Sequence, residues 1–483
     1  MRAGEAAQRA GVNVETLRYY ERRGLLPEPA RAPGGHRRYD EDAVRFLRAI
    51  KDTQALGFTL AEIEDYLRVV RRGRVPPSQA LRTRLAAKID EIDARIAGLR
   101  RMRGELARIV GCACESLDHC TCGAAYLARR GRESSARPSP LHVTNGESAG
   151  NTLRQTSLGG AVLPWQDVLH EGPVPAGTRH ELLRTRAAFL SGCGWGSKRA
   201  LLASLERRDH QLGQALRDRQ QVVLWFEHDL YDQLQLIDVL ALASAAVGRQ
   251  APTAVSRQAP AALPELIVVG SFPGRPGFRG LGELTASQLE TLWPARVEAN
   301  RDTLAAAEAT WAALRCPEPS DLAACAQADW SGLPFLAPAL NRLLEELPAP
   351  QDGLSGTERR ALQAIASGAA TPIAAFVAAQ DLEPAPFLGD AWFYRVLADL
   401  GAGQARLVET SAGQPLPAAP PLGDAHVFAR LSLRLTRSGE QVLAGQADRV
   451  ALLGLDRWVG GTHLTTDTEW RWDPASRRLV RLA

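Results

Sequence analysis

Among its 483 residues the chain has no apolar run approaching the roughly 18–20 residues that a membrane helix needs. It opens Met1-Arg2-Ala3-Gly4-Glu5, without the apolar core of a secretory signal. A cytoplasmic location is therefore expected, and no membrane partner. Internal repeats are absent, and so is the Gly-x-x-x-x-Gly-Lys pattern of a phosphate loop. Cysteine is scarce, with seven residues and none before Cys112. Four of them, Cys112, Cys114, Cys120 and Cys122, fall within eleven residues. A cytoplasmic chain keeps thiols reduced, so this cluster reads as a metal site rather than a disulfide framework. Cys193, Cys316 and Cys325 are scattered and read as small buried hydrophobes.

What remains is ordinary globular composition, 45% hydrophobic and 23% charged, on a length sufficient for two to four domains. The net charge of +4 conceals an asymmetry. Residues 1–139 hold 27 Lys+Arg against 18 Asp+Glu, or +9, and the remainder holds 31 against 36, or −5. Basic charge gathered at one end is the footprint of a polyanion partner.

Residues 1–72 read as short helices around a turn-rich interruption. Residues 4–9 form a first helix, Gly11 a turn, and residues 14–23 a second helix capped by Asn13. The run 32–39, with Pro33-Gly34-Gly35 before His36-Arg37-Arg38-Tyr39, predicts a hairpin wing. Asp40 caps a helix through Lys51, and Thr59 caps another over 60–70. Leu17, Leu25, Leu26, Val44 and Phe46 are candidate core. A helix-turn-helix sets its second helix in the major groove. Thr16, Arg18, Tyr19 and Arg22 lie at helical spacing there, and offer hydroxyl and guanidinium donors to phosphates and base edges. Arg37, Arg38 and Tyr39 on the wing would reach the flanking backbone. In residues 78–111, Leu81, Leu85, Ile89, Ile92, Ile96, Leu99, Met102, Leu106 and Ile109 recur every three or four positions. That is coiled-coil periodicity, and one helix cannot bury such a stripe alone.

The run Gly11-Val12-Asn13-Val14-Glu15-Thr16-Leu17-Arg18-Tyr19-Tyr20-Glu21-Arg22-Arg23-Gly24-Leu25-Leu26, with Gly35-His36-Arg37-Arg38-Tyr39 and Leu56-Gly57-Phe58, resembles the MerR family of transcriptional regulators. The likeness runs through the long helix to the cysteine loop, over about residues 1–125. It implies that Arg18, Tyr19, Tyr20, Arg37, Arg38 and Tyr39 contact double-stranded promoter DNA. It also implies a homodimer joined by an antiparallel coiled coil, and promoter bending and untwisting that realigns the DNA for RNA polymerase.

Thiolates select soft ions such as Cu(I), Ag(I), Hg(II) and Zn(II). Metal sensors of the family carry their ligands where Cys112-Ala113-Cys114 and Cys120-Thr121-Cys122 stand here. Mercury and zinc sensors add a cysteine near the start of the long helix, a position that aligns with Ser78. Copper-type sensors lack it and bind a monovalent ion linearly between two cysteines seven residues apart. Cys112 with Cys120, and Cys114 with Cys122, have that spacing. Cys-Ala-Cys at the helix end is similar to the mercury sensors. Two extra thiols, with His119 as a further donor, would complete higher coordination. A soft ion is the first reading. A [2Fe–2S] cluster, as in the redox-sensing branch, is the second, with Cys122 substituting for a missing first cysteine.

Residues 128–140 are linker composition. Beyond them short apolar strands precede helices at 141–144, 221–226 and 266–269, the pattern of an α/β layer with a parallel sheet. Residues 141–483 resemble a bacterial domain-of-unknown-function family. The likeness rests on Leu141–Gly150, on Trp165-Gln166-Asp167-Val168-Leu169-His170-Glu171-Gly172-Pro173, on Leu224-Trp225-Phe226-Glu227-His228-Asp229-Leu230-Tyr231-Asp232-Gln233-Leu234-Gln235-Leu236, and on Gly280–Leu284. Ligands of open α/β sheets bind beyond the carboxyl ends of strands. Asn145, Glu147 and Ser148 follow one strand, and Glu227, His228, Asp229 and Asp232 another. Asp167, His170 and Glu171 lie in a loop. Such a set suits a divalent metal, a phosphoester or another small-molecule ligand, and leaves an enzyme and a ligand sensor both open. Structural roles are the alternative, with caps at Ser148 and Asp229 and buried hydrogen bonds at His170 and His228. Residues 354–450, helices followed by Leu-Thr-x-x-Gly, suit a second winged helix without marked basic charge. Residues 457–482 read as paired strands.

The expected fold is multidomain. Residues 1–72 are an all-α winged helix-turn-helix, 73–127 a dimerisation helix with its cysteine loop, and 128–140 a linker. Residues 141–350 are an α/β domain with a mainly parallel sheet, and 351–483 a winged-helix-like α+β domain with C-terminal strands.

Overall fold

The computed structural model describes residues 1, 3–10, 17, 30–31, 37–55, 139–248, 263–420 and 427–482. The chain divides into two compact units, Met1–Gly131 and Arg132–Ala483. No helix among the described residues is long and apolar enough to cross a membrane.

In the first unit, α1 (Ala3–Ala10) packs against α2 (Glu41–Ala55). Between them β1 (Ala30–Arg31) pairs antiparallel with β2 (Arg37–Arg38), the hairpin the turn chemistry predicts. Asp40 caps α2 by accepting from the Ala43 N–H at 2.8 Å. Ala6, Ala7, Ala10, Leu17, Tyr39, Val44, Leu47 and Ile50 form one core. Leu17 and Val44 are thus core as expected, and Phe46 packs at its edge. The chain start closes this core, because Met1 and Tyr39 exchange backbone hydrogen bonds of 2.8 and 3.0 Å.

The second unit is built on a mixed sheet. Its strands are β3 (Leu141–Thr144), β4 (Ala161–Pro164), β5 (Val222–Glu227), β6 (Glu265–Val269) and β7 (Val297–Glu298), in the order β4-β3-β5-β6-β7. All neighbours are parallel except β6 and β7. Sequence reading found β3, β5 and β6 but missed β4, a short edge strand that ends in Pro164. The crossover from β3 to β4 is α3 (Glu147–Leu153). After β4 come α4 (Arg179–Gly192) and α5 (Lys198–Arg217), and after β5 comes α6 (Leu230–Gly248). Beyond β6 lie α7 (Ala286–Leu292), α8 (Arg301–Leu314), α9 (Ser320–Cys325) and α10 (Leu336–Leu344).

Strand β5 is buried at every residue. Val222, Leu224 and Phe226 join a core with α6, α8 and α10, while Val223 and Trp225 face α3 and α7. Burial on both faces is what a parallel central strand needs, and explains the unbroken apolar run.

The C-terminal part opens with α11 (Gly356–Ala366), α12 (Pro372–Asp381) and α13 (Asp390–Leu400). Ser355 and Glu358 form a capping box at α11, as Thr178 with Glu181 and Thr285 with Gln288 do at α4 and α7. Strands β8 (Val408–Thr410) and β9 (Leu433–Leu435) pair antiparallel, and the Leu433 N–H donates to the Ala370 carbonyl at 2.8 Å. Helices α14 (Arg437–Leu443) and α15 (Arg449–Leu453) precede two hairpins. These are β10 (Asp456–Val459) with β11 (Thr462–Thr465), and β12 (Trp470–Asp473) with β13 (Arg478–Arg481). The paired tail strands are present as expected.

Residue 350 is not a boundary between cores. Val450, Leu455, Val459, Leu464 and Trp472 complete the core under the sheet. Val168, Leu190 and Cys193 belong to the core of α11–α13. Buried charges cross the same line. Arg342 pairs with Glu383 at 2.7 Å, and Arg360 with Glu345 at 2.9 Å. Turn Gly460 presses so close to α8 that an added Cβ would lie 2.3 Å from the Leu314 carbonyl oxygen.

Arg186, with no exposed surface, holds the 165–174 loop in place. It pairs with Asp167 at 2.7 Å and donates to the carbonyls of Val168 at 2.9 Å and Glu171 at 2.7 Å. Arg186→Ala would strand the buried Asp167 carboxylate. We expect a loss of about 3–5 kcal/mol in urea unfolding. A loss below about 1 kcal/mol would show that the loop is held by its apolar contacts instead.

Candidate functional sites

The sheet reverses direction of growth at β3, with β4 on one side and β5 on the other. The crevice at the carboxyl ends of β3 and β5 is therefore the place where such a fold binds ligands. Asn145 follows β3, Glu227 ends β5, and Asp229 and Asp232 lie at the start of α6. One carboxylate oxygen each of Glu227, Asp229 and Asp232 lies within 4.8 Å of the other two, and all three residues are buried.

Local hydrogen bonds fix the cluster. Asp229 accepts from the Asp232 N–H at 3.1 Å, capping α6 as one sequence reading expected. Asp232 accepts from the Glu227 N–H and from Asn145 Nδ2, both at 2.7 Å. Glu227 accepts from the Leu281 N–H at 2.5 Å. The Asn145 carbonyl accepts from Tyr231 Oη at 3.3 Å and from the Gln166 N–H at 3.1 Å. Gln166 has φ of 49°, a left-handed conformation that costs a non-glycine residue about 1–2 kcal/mol. Gly280 closes the far side, where an added Cβ would lie 2.3 Å from Glu227 Oε2.

No lysine or arginine among the described residues pairs with any of the three carboxylates. Burial holds all three well above the ordinary carboxylate range, and repulsion from neighbouring carboxylates adds to it at Glu227 and Asp232. The cluster must therefore take up protons or a cation. Three carboxylate oxygens and an amide are hard ligands, suited to Mg²⁺, Mn²⁺ or Ca²⁺ rather than to soft ions.

Of the eight-residue polar cluster the sequence suggested, the structure brings Asn145, Glu227, Asp229 and Asp232 together. It separates the rest. Asp167 is spent on Arg186, because the loop places its carboxylate beside a buried guanidinium. His228 is half-buried against Phe335, with Nδ1 unpartnered, and burial lowers its pKa. Glu147 is exposed and pairs with Arg154 at 2.6 Å. His170 and Glu171 line a second cavity with Arg395, Asp399 and Trp458. Burial and nearby Arg186 push His170 down to about 3, while burial and Glu346 push Glu171 up to about 7. Sequence reading missed the Leu281 N–H and Arg395, which come from distant segments and have no local signal.

Of the expected DNA-contacting residues, Arg38 is exposed on the wing and Arg37 shares its strand. Tyr39, which follows β2, is only 4% exposed and packs in the core with α1 and α2. Thr16, Arg18, Tyr19, Tyr20 and Arg22 lie outside the described residues, as do Cys112, Cys114, Cys120, Cys122, Ser78 and the helix over 78–111.

Residues 1–69 match the family model described as MerR HTH family regulatory protein, and residues 44–109 the model described as MerR, DNA binding. A mercuric resistance operon regulatory protein of Bacillus cereus is 45% identical over 101 residues, which are 21% of this chain and 76% of that protein. One from Pseudomonas fluorescens is 40% identical over 113 residues, 23% of this chain and 76% of that protein. An HTH-type transcriptional activator SoxR homolog of Chromobacterium violaceum is 36% identical over 117 residues, 24% of this chain and 78% of that protein. Among solved structures, the transcription regulator PbrR691 of Ralstonia metallidurans in complex with lead(II) is 33% identical. It covers 25% of this chain and 94% of its own, with a TM-score of 0.21.

Two outcomes test the carboxylate cluster. The folded state retains protons that an unfolded Glu releases near 4.5. Without divalent cations, stability should fall as pH rises from that value through neutrality. Asp232→Asn should flatten that slope in urea unfolding between about pH 5 and pH 8, and millimolar Mg²⁺ or Mn²⁺ should flatten it in the unmodified chain. An unchanged slope in both cases would show that the cluster is neither charged nor cation-binding. Gly280→Ala should push the loop off Glu227 and cost about 1–3 kcal/mol, read as a lower urea midpoint.

Proposed function

The chain belongs to the MerR family through its N-terminal region, and from that premise we propose that it is a promoter-bound, metal-responsive regulator carrying a ligand-binding C-terminal unit. The observation that carries the reading is the 45% identity to a mercuric resistance regulator over 101 residues, with family models matching residues 1–69 and 44–109. A four-cysteine loop follows at once. Arg18, Arg22, Arg37 and Arg38, with Thr16, Tyr19 and Tyr20, would hold the operator. Two copies would pair through residues 78–111. The dimer would distort the promoter so that RNA polymerase engages it only in one state of the loop.

Cys112 with Cys120, or Cys114 with Cys122, would hold the ion and close the loop. Cys-Ala-Cys and the mercuric relatives favour Hg(II), which accepts linear dithiolate coordination. Ser78, in place of a third thiol, favours Cu(I) and Ag(I) over Zn(II). The second reading is a [2Fe–2S] cluster, favoured by the cysteine count and the likeness to a SoxR homolog. In the C-terminal unit, Glu227, Asp229 and Asp232 with Asn145 would hold a hard divalent cation. The order α11, α12, α13, β8, β9, with Ala370 as a third pairing point, supports the winged-helix-like reading of that segment. Trp392, Phe393, Tyr394, Leu397 and Leu400 bury most of α13, the helix that would enter a groove. That favours a packing role over DNA contact.

Cys120→Ser should abolish induction in a promoter reporter while operator affinity stays unchanged, because sensing and DNA contact lie on separate elements. Full induction in this variant would exclude the cysteine-loop reading. Response only to redox-cycling compounds, with visible absorbance from purified protein, would select the iron–sulfur reading. Arg18→Ala should weaken operator binding by about 1–3 kcal/mol, measured by anisotropy at several salt concentrations. Unaltered affinity would remove Arg18 from the interface.

A further inference from the structure

A cavity of about 190 Å³ lies where the 165–174 loop, α13 and β10 meet. Its wall includes His170, Glu171, Trp392, Arg395, Asp399 and Trp458. His170 is only 7% exposed, yet neither ring nitrogen has a hydrogen-bond partner. The ring is wedged edge-on between Tyr231 at 5.7 Å and Phe387 at 5.2 Å, so it is held without being satisfied. A buried imidazole with two idle polar atoms is costly unless something else uses them.

The charges around the cavity point the same way. Glu346 is taken by Arg342 at 2.6 Å, and Arg457 by Glu358 at 2.6 Å. Asp456 contacts His463 at 2.7 Å. Arg395, Glu171 and Asp399 remain, and among the described residues their side chains make no ion pair or hydrogen bond. Arg395 lies only over the ring of Trp392, at 5.4 Å, and Trp392 is stacked on Phe189 at 5.8 Å. One half-buried guanidinium thus shares a small cavity with the half-buried Glu171 carboxyl, a neutral imidazole and aromatic walls, and the exposed Asp399 lies at its edge.

We propose that this cavity binds a free α-amino acid. Arg395 takes its carboxylate in a two-pronged hydrogen bond. Glu171 and Asp399 take its ammonium, and His170 supplies a further donor or acceptor. The Trp392 and Trp458 faces receive an apolar or cationic side chain. A cation alone leaves Arg395 unmatched, and an anion alone leaves the carboxyls unmatched. The volume lies below the range of drug-sized ligands, about 300–1,000 Å³, which excludes nucleotides. Six chain segments meet there, the 165–174 loop, α13 and β10 among them, so occupancy ties these together and makes the C-terminal unit responsive to amino-acid supply.

The test uses the full-length protein. The proteinogenic amino acids are screened by thermal unfolding, and hits are measured by calorimetry. At least one amino acid should raise the midpoint and bind. Its carboxamide and its N-acetyl derivative should each bind about tenfold more weakly or worse. Arg395→Gln should weaken the free acid about tenfold but leave the carboxamide unchanged, and Glu171→Gln should do the same with respect to the N-acetyl form. Should a variant fail to fold by circular dichroism, the two derivatives on the unmodified chain decide. Absence of binding by every amino acid overturns the proposal. So does a carboxamide or N-acetyl derivative that binds as tightly as the parent.

Discussion

Burial of β5 on both faces is the constraint on which the C-terminal unit depends. Its apolar residues alternate between two cores, so no other register keeps them out of water. The strand must end somewhere, and it ends in Glu227, beside Asp229 and Asp232. The carboxylate cluster is thus buried because its strand is. Asn145 reaches it because β3 is the neighbouring parallel strand.

Buried charge elsewhere in the unit is matched. Asp167 has Arg186, Glu358 has Arg457, and Glu346 and Glu383 share Arg342. These pairs fasten loop to helix and one half of the unit to the other. Against that background the three carboxylates at the strand end stand apart, because no guanidinium answers them. The unmatched Arg395, Glu171 and His170 stand apart for the same reason. A structure that pairs its buried charges this thoroughly leaves its exceptions as places where a ligand completes the pairing.

The family likeness covers about a quarter of the chain or less and lies wholly in its first unit. The second unit brings its own sheet, its own cores, a buried carboxylate cluster and a polar cavity. A soft-ion site on thiolates and a hard-ligand site on carboxylates do not compete for the same metal. On the function proposed above, the chain would register two unlike signals.

By itself the sequence determined the elements whose signals are local. It gave the DNA-binding family through a contiguous motif, α2 through Asp40, and β5 through its apolar run. It placed Asn145 after one strand and Glu227, Asp229 and Asp232 after another, because strand ends can be read from sequence, but not which of their neighbours join them. Tertiary structure alone decided the rest. Asp167 went to Arg186, nineteen residues away, and Tyr39 turned into the core. Gly280 and Leu281 closed over Glu227 from more than fifty residues away. The expected boundary at 350 vanished because core and ion pairs run across it. Periodicity reports which face a residue takes on its own element. It carries no information about which distant side chain meets that face, and that meeting decides whether a charge is spent or left for a ligand.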